Sequence, residues 1–449
     1  MPQSHVIKPM IDGSYPEVSR GKGVFLYDAE GKQYLDGCSG AVAAGLGHGV
    51  QEIVRAMAAQ AEKVAFSYRS QFTNSPAEML AAELAELAPG DLDWVFFVNS
   101  GSEALETALK IAIQHWHEQG QRGKTLVLSR RLSYHGITLG ALSMSGHMAR
   151  RRWFAPLLKE LAVVAPSYCY RCPLGKSYPG CSVACADDLE VAIKRAGPER
   201  VAAFVAEPIV GAAGGAVPAP LEYFPRIRKI CDRYGILFIA DEVMTGIGRT
   251  GKMFAIEHWG IAPDLVTVGK GLSAGYTPLA ATLVSDRVVQ AIRRGSGSIM
   301  SGHTFSGNPL SCAVGLAVLR YVQEHELVRH AAEAGIQLHR KLLDLQRRHP
   351  VIGDVRGAGL MWGLELIADL ATRAPFAPER QATALLVERA RRNGLLVYPA
   401  LAGADVAGGD AVMVAPPLTI NDAELDLLVE LLERAVAEVE AELLANRAG

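Results

Sequence analysis

Between residues 92 and 284 the chain alternates between two rhythms. Short runs that are apolar along most of their length ("DWVFFVN", "TLVLS", "VAAFVAEP", "ILFIADEV", "DLVTVGKG" and "LAATLVS") are separated by stretches with helical spacing, such as "SEALETALKIAIQHW" and "YFPRIRKICDRYG". Strands that lack a polar face and are spaced by helices predict a parallel sheet covered on both sides.

The two ends follow a different pattern. "GVFLYDAEG" and "KQYLDG" read as short strands joined across a turn at Glu30-Gly31, and Val50 to Lys63 as a helix. After the central block, one helix is expected from Ser311 to His325 and another up to Arg348. "GAGLMWGLELI" reads as one strand, "AVMVAPPLTI" as another, and Asn421 to Asn446 as an amphipathic helix. The expected fold class is therefore α/β. A large central domain over 61–325 carries the mostly parallel sheet, and a smaller α+β domain is built from both chain ends, 1–60 and 326–449.

Composition narrows the function classes. Of 449 residues, 49% are hydrophobic and 20% charged, which fits a folded globular chain rather than a disordered one. Forty-five basic residues against 47 acidic ones give a net charge of −2, so nothing points to nucleic acid or an anionic membrane as a partner. No apolar run reaches eighteen residues, and "MPQSHVIKPMIDGSYPEV" lacks the apolar core of a secretory signal. Seven cysteines, a low and odd count, argue against a disulfide framework, and the expected location is the cytoplasm.

In open parallel sheets, ligands bind outside the carboxyl ends of the strands. Four positions there carry chemistry. In "VNSGSEALETALKIA", Ser100 and Glu103 have capping-box spacing and Gly101 lets a ligand approach the backbone. That segment is either a plain helix cap or an anion site suited to phosphate. Asp241 closes the apolar run of "ILFIADEV"; so desolvated, it stays ionised only beside a cation or several donors, and a structural ion pair is the alternative. Lys270 sits between two glycines at the end of another strand, either as a snorkelling lysine or as an amine whose pKa burial lowers toward neutrality. "SYHG" places Tyr134 and His135 before a glycine, as core and loop residues or as rings laid flat against a ligand. Together the four describe one ligand with a phosphate, a cationic ring nitrogen, an aldehyde and a flat ring. Pyridoxal 5′-phosphate has these features.

The motifs "NSGSEA", "YHG", "AEPIVG", "ADEVMTGIGRTGK", "VGKGLSAGYTP" and "GHTFSGNPLSCA", in this order, resemble the class III, or omega, aminotransferases of PLP fold type I. The resemblance runs from "YLDG" to the last helix. It implies that Lys270 is the Schiff-base lysine and Asp241 the partner of the pyridine nitrogen, both catalytic. It also implies that Val243 and Tyr134 cover the two ring faces, that Ser100, Gly101 and Ser102 hold the phosphate, and that His135 and Glu207 lie beside the cofactor. Thr304 is implied to reach the phosphate of a neighbouring subunit, so a homodimer with shared active sites is expected, with a tetramer left open. The implied reaction moves an amino group from an amine or omega-amino acid to a 2-oxo acid by a ping-pong Schiff-base route. A PLP-dependent racemase, epimerase or aminomutase of the same fold is the alternative.

The sequence departs from the family in two places. Many members carry a carboxylate-binding arginine shortly before "APPL", yet no arginine lies between Tyr398 and Leu418. Arg69 is one substitute, and Val42, where some relatives place a bulky aromatic, implies a roomier substrate pocket. Cys169, Cys172, Cys181 and Cys185 have C-x2-C-x8-C-x3-C spacing. The expected reading is reduced loop thiols and no metal, against a minority reading as a tetrahedral metal site. "GIGRTGKM" nearly spells a phosphate-binding P-loop, but Met253 stands where that motif needs Ser or Thr.

Overall fold

The computed structural model describes residues 5–159, 163–403 and 408–445. Its central sheet has seven strands: β1 (Trp94–Val98), β2 (Leu126–Arg130), β3 (Val163–Val164), β4 (Val201–Ala206), β5 (Leu237–Asp241), β6 (Leu265–Val268) and β7 (Ala280–Val284). Their order across the sheet is β1-β7-β6-β5-β4-β2-β3. Every pairing is parallel except those that β7 makes with β6 and β1. The reason lies in the connection 269–279, which holds only the single helical turn Lys270–Leu272. A parallel return would need a helical crossover.

Strands β4 and β5 are buried along their whole length, as expected for the centre of a sheet covered by helices. Helix α1 (Gly101–Glu118) follows β1 directly and buries Ala104, Ala108, Ile111 and Ala112. Small residues on that stripe let the helix lie close to the sheet. The helix predicted for "YFPRIRKICDRYG" forms over Tyr223–Tyr234 and ends on Gly235, whose φ of +56° suits a glycine.

The two chain ends supply separate antiparallel layers. Val18–Lys22, Phe25–Asp28 and Gln33–Asp36 form a meander, and Leu395–Leu396 joins it in parallel. The first of these strands was not foreseen, because "VSRGK" has no apolar pattern. "GAGLMWGLELI" is not one strand. It splits between Ile352–Ala358 and Met361–Leu366, antiparallel neighbours that turn at Gly359 (φ +53°). Asp410–Val414 and Tyr398–Leu401 complete that sheet. The last helix spans Asp422–Ala445, and the expected end at Asn446 lies outside the described residues. Arg356 ties this sheet to the turn between the short paired strands Ile209–Val210 and Val217–Pro218, which follow β4, by donating to the carbonyls of Gly214 (2.6 Å) and Gly215 (2.9 Å). Among the described residues no helix is long and apolar enough to cross a membrane.

Gly335, inside helix Leu327–Arg348, gives a test of this packing. A Cβ there would stand 2.3 Å from the carbonyl oxygen of Gly359, which is backbone and cannot swing away. Gly to Ala in a helix interior normally stabilises by about 1 kcal/mol. Here the sign is expected to reverse, with Gly335→Ala destabilising by about 1–3 kcal/mol through overpacking. A thermal melt of the variant checks this, as a lower Tm.

Candidate active site

The parallel direction of β1, β2, β4, β5 and β6 brings their carboxyl ends to one edge of the sheet. Each predicted group follows one of these ends. Ser100 lies two residues past β1, Tyr134 and His135 just past β2, and Glu207 immediately past β4. Asp241 is the last residue of β5, and Lys270 lies two residues past β6. All of them, with Gly101, Ser102 and Val243, line one cavity of about 190 Å³.

Asp241 is 4% exposed. Its Oδ2 accepts from His135 Nδ1 at 2.7 Å, and its Oδ1 accepts from the Val243 N–H (3.1 Å) and Thr267 Oγ1 (3.2 Å). A carboxylate removed from water needs such donors on both oxygens. His135 is itself 2% exposed and fixed by its backbone N–H to Ser145 Oγ at 2.8 Å. Its Nε2 has no hydrogen-bond partner among the described residues.

Lys270 begins a single helical turn with φ +42°, a left-handed conformation that side chains other than glycine seldom adopt. It is half-buried. Burial lowers its amine from the ordinary lysine value to about 8; Asp241 and Glu207 oppose that shift, and Arg150 adds to it.

Glu207 accepts the Tyr134 N–H at 2.9 Å on one oxygen and the Gly211 N–H at 2.8 Å on the other. Burial raises its pKa. The buried Arg130 at the end of β2 holds the Glu207 carbonyl from the other side. These bonds fix Tyr134, whose ring meets His147 edge-on at 5.9 Å.

The α1 terminus is capped. Ser100 Oγ accepts the Glu103 N–H (3.3 Å), and Glu103 reaches back to the Asn99 N–H (2.8 Å). The N–H groups of a first helical turn have no intrahelical acceptors, so this end remains an anion site. Gly101 is required by its neighbour, since a Cβ there would stand 2.6 Å from Val243 Cγ1. Gly136, at φ +134°, leaves room for Ser102 Oγ, which accepts the Ile137 N–H at 3.0 Å.

The remaining predicted positions lie elsewhere in the chain. Val42 is buried with φ +60° and lines a separate small cavity with Leu46 and Arg249. Arg69 donates to the Ser301 carbonyl and stacks 4.7 Å over Phe96, and Thr304 is exposed. The four clustered cysteines line one small surface cavity as free thiols. Among the described residues no group of three or more His, Cys, Asp or Glu is arranged to hold a metal ion. Sequence reasoning missed Met244 and Thr245 on the cavity wall, and the His135–Asp241 bond. The wall residues could have been found by reading one turn beyond "ADEV".

The family model for class III aminotransferases matches residues 12–436. The chain is 49% identical over 440 residues to a Bacillus subtilis protein named uncharacterized aminotransferase YodT, covering 98% of this chain and 99% of that one. It is 35% identical over 430 residues to a putrescine–pyruvate aminotransferase from Pseudomonas aeruginosa, covering 95% and 92%. An (S)-enantioselective omega-transaminase from Thermomicrobium roseum superposes with a TM-score of 0.91 at 38% identity, covering 97% and 96%. A PLP-bound amine transaminase from an uncultivated Pseudomonas species gives 0.90 at 37%, covering 98% of each chain.

The electrostatics of Lys270 can be measured directly. In cofactor-free protein, acylation of this amine is expected to rise with a midpoint near pH 8, well below the ordinary lysine value of 10.5. Asp241→Asn should move the midpoint lower, because the Asp241 carboxylate favours the protonated amine. Mass spectrometry of the modified peptide across pH reads both.

Proposed function

The chain belongs to the class III aminotransferases, which use pyridoxal phosphate, and from that premise we propose how its own residues move an amino group from an amine to a 2-oxo acid. The donor set fits the cofactor. Asp241 offers a carboxylate to a cationic ring nitrogen, the α1 terminus offers N–H groups to a phosphate, and Lys270 offers an amine to an aldehyde. When bound, the cofactor supplies an aldehyde that condenses with amines and a ring that takes up the electron pair left as a substrate carbon loses its proton.

The protein supplies position and protons. Lys270, with its amine brought to about 8, is the group assigned to carry a proton off and onto the substrate carbon near neutral pH. Asp241 is assigned to the ring nitrogen, with His135 holding its other side. Val243 and Tyr134 are assigned to opposite ring faces, and Ser100, Gly101 and Ser102 to the phosphate. Glu207 positions Tyr134 through its backbone bond. The observation that carries this reading is the shared cavity of Lys270 and Asp241. The relatives reported above are named aminotransferases and transaminases, so a racemase or aminomutase is not favoured.

The name of the Pseudomonas aeruginosa relative makes diamines with pyruvate the first pair to try. Putrescine, 1-phenylethylamine and β-alanine, each tested with pyruvate and with 2-oxoglutarate, are expected to yield alanine or glutamate from at least one pair. Amino transfer to neither acid would remove the proposal. Lys270→Ala is expected to lose about a thousandfold or more in kcat. It should also leave no cofactor attached to the chain after borohydride reduction and denaturation.

The proposal includes a homodimer. Its support is an exposed apolar cluster beside Thr304: Phe66 and Phe305 in ring contact at 5.6 Å, with Phe72 65% and Met300 82% exposed nearby. Clustered apolar exposure of this kind marks interaction surfaces. All seven cysteines are free, which agrees with a reducing, cytoplasmic location. Sedimentation is expected to give twice the chain mass. Phe72→Asp with Phe305→Asp should shift the protein toward monomer and lower its activity.

A further inference from the structure

An acceptor of the 2-oxo acid class always presents a carboxylate, so some cation in the site must meet it. The segment that ordinarily would provide one has no arginine between Tyr398 and Leu418, and Arg69 is occupied by the Ser301 carbonyl and Phe96. A cation beside the site comes from elsewhere in the fold. The one-turn helix Met148–Arg151 starts after His147, the residue whose ring touches Tyr134. Its two arginines have different fates. Arg151 turns inward and donates to the carbonyls of Leu142, Ser143 and Ser145, so its charge serves the fold. Arg150 turns the other way, and its guanidinium carbon lies 4.4 Å over the Tyr134 ring.

Tyr134 lines the cavity that holds Lys270. Burial raises the pKa of a second phenol, Tyr398 at the start of strand Tyr398–Leu401, and the charge of nearby Arg150 opposes that shift. The Arg150 charge is also near enough to lower the Lys270 amine. Among the described residues no carboxylate forms an ion pair with Arg150, whereas Arg171, Arg228, Arg287 and Arg356 each have one. On the far side of the His147 contact, a larger cavity of about 700 Å³ is lined by His147, Met148 and Ala149. Arg150 itself lines neither cavity; its guanidinium meets the site through its stack on Tyr134, which lines the smaller one. The Tyr134 ring holds its planar head, and among the described residues its donors are unmatched by any carboxylate.

We propose that Arg150 is the specificity-determining residue that binds the carboxylate of the 2-oxo acid acceptor, and of amino acid donors, from its seat on Tyr134 beside the cavity of Lys270. This rests on the transamination reading above and adds the substrate class to it. A guanidinium suits the task because its fork matches a carboxylate in two parallel bonds and its flat face stacks on aromatics. The same seat explains how donors without a carboxylate are accommodated. In their half-reaction Arg150 stays stacked on the Tyr134 ring, with its charge in solvent.

The test compares the holoenzyme with R150A and R150K, using one amine donor and two acceptors of similar size, pyruvate and butanal. For R150A the ratio of kcat/KM for pyruvate to that for butanal is expected to fall about 10–100-fold, mostly through KM, as for loss of a charge-assisted pair. R150K should recover part of the ratio. Independently, acetate titrated into the holoenzyme is expected to perturb the cofactor absorbance, with its Kd weakened about tenfold or more in R150A. An unchanged pyruvate-to-butanal ratio, or acetate binding equal in both proteins, overturns the proposal. A wild-type enzyme that aminates neither acceptor counts against the transamination reading alone; the acetate titration still decides what Arg150 does.

Discussion

Asp241 ends a strand in which every residue is buried, and neither of its oxygens is left without a hydrogen-bond partner. That constraint organises the edge of the sheet. His135 must lie against Oδ2, which brings the loop after β2 over the end of β5. Thr267, the register partner of Asp241 on β6, bonds Oδ1 and so ties Asp241 to the strand that delivers Lys270. Burying a charge this way is unfavourable unless its donors are already in place, and the same donors then hold it ready for a ligand cation.

The amine opposite is tuned by the same balance. Burial pushes the Lys270 amine toward its neutral form, while two buried carboxyl groups, Asp241 and Glu207, draw it back. The outcome, about 8, is set by opposing effects that reside on three different strands' ends. Moving any one of those strands by a residue would change the chemistry as well as the packing, because a shift of one turns each side chain to the other face.

Much of this was legible in the chain itself. Lys270 and Asp241 stand out because a polar residue ends an apolar run, and the parallel topology predicted from those runs puts such ends together, whereas Glu207 was implied only by the family resemblance. Elsewhere the local pattern was silent or misleading. β7 runs antiparallel because a short connection replaces a crossover, and an apolar run carries no sign of its direction. "GAGLMWGLELI" reads as continuous because its turn needs only Gly359, a residue that strands also contain. Arg150 lies in a single helical turn with no periodicity, and nothing local signals that its guanidinium stacks on Tyr134 in the preceding loop. The His135–Asp241 bond likewise joins loops whose meeting depends on sheet order.

Lys270 also carries a lesson in its backbone. Its φ of +42° is a shape that glycine would adopt freely and that a branched or long side chain resists. A sequence drifting only toward greater folding stability would therefore tend to lose its amine at this corner. Its retention there marks a place where the polypeptide tolerates a local misfit because the surrounding strands are rigid enough to enforce it. The stiffness of the scaffold is thus a precondition for keeping the nucleophile at all, and softening the neighbouring core would erode reactivity before it unfolded the protein.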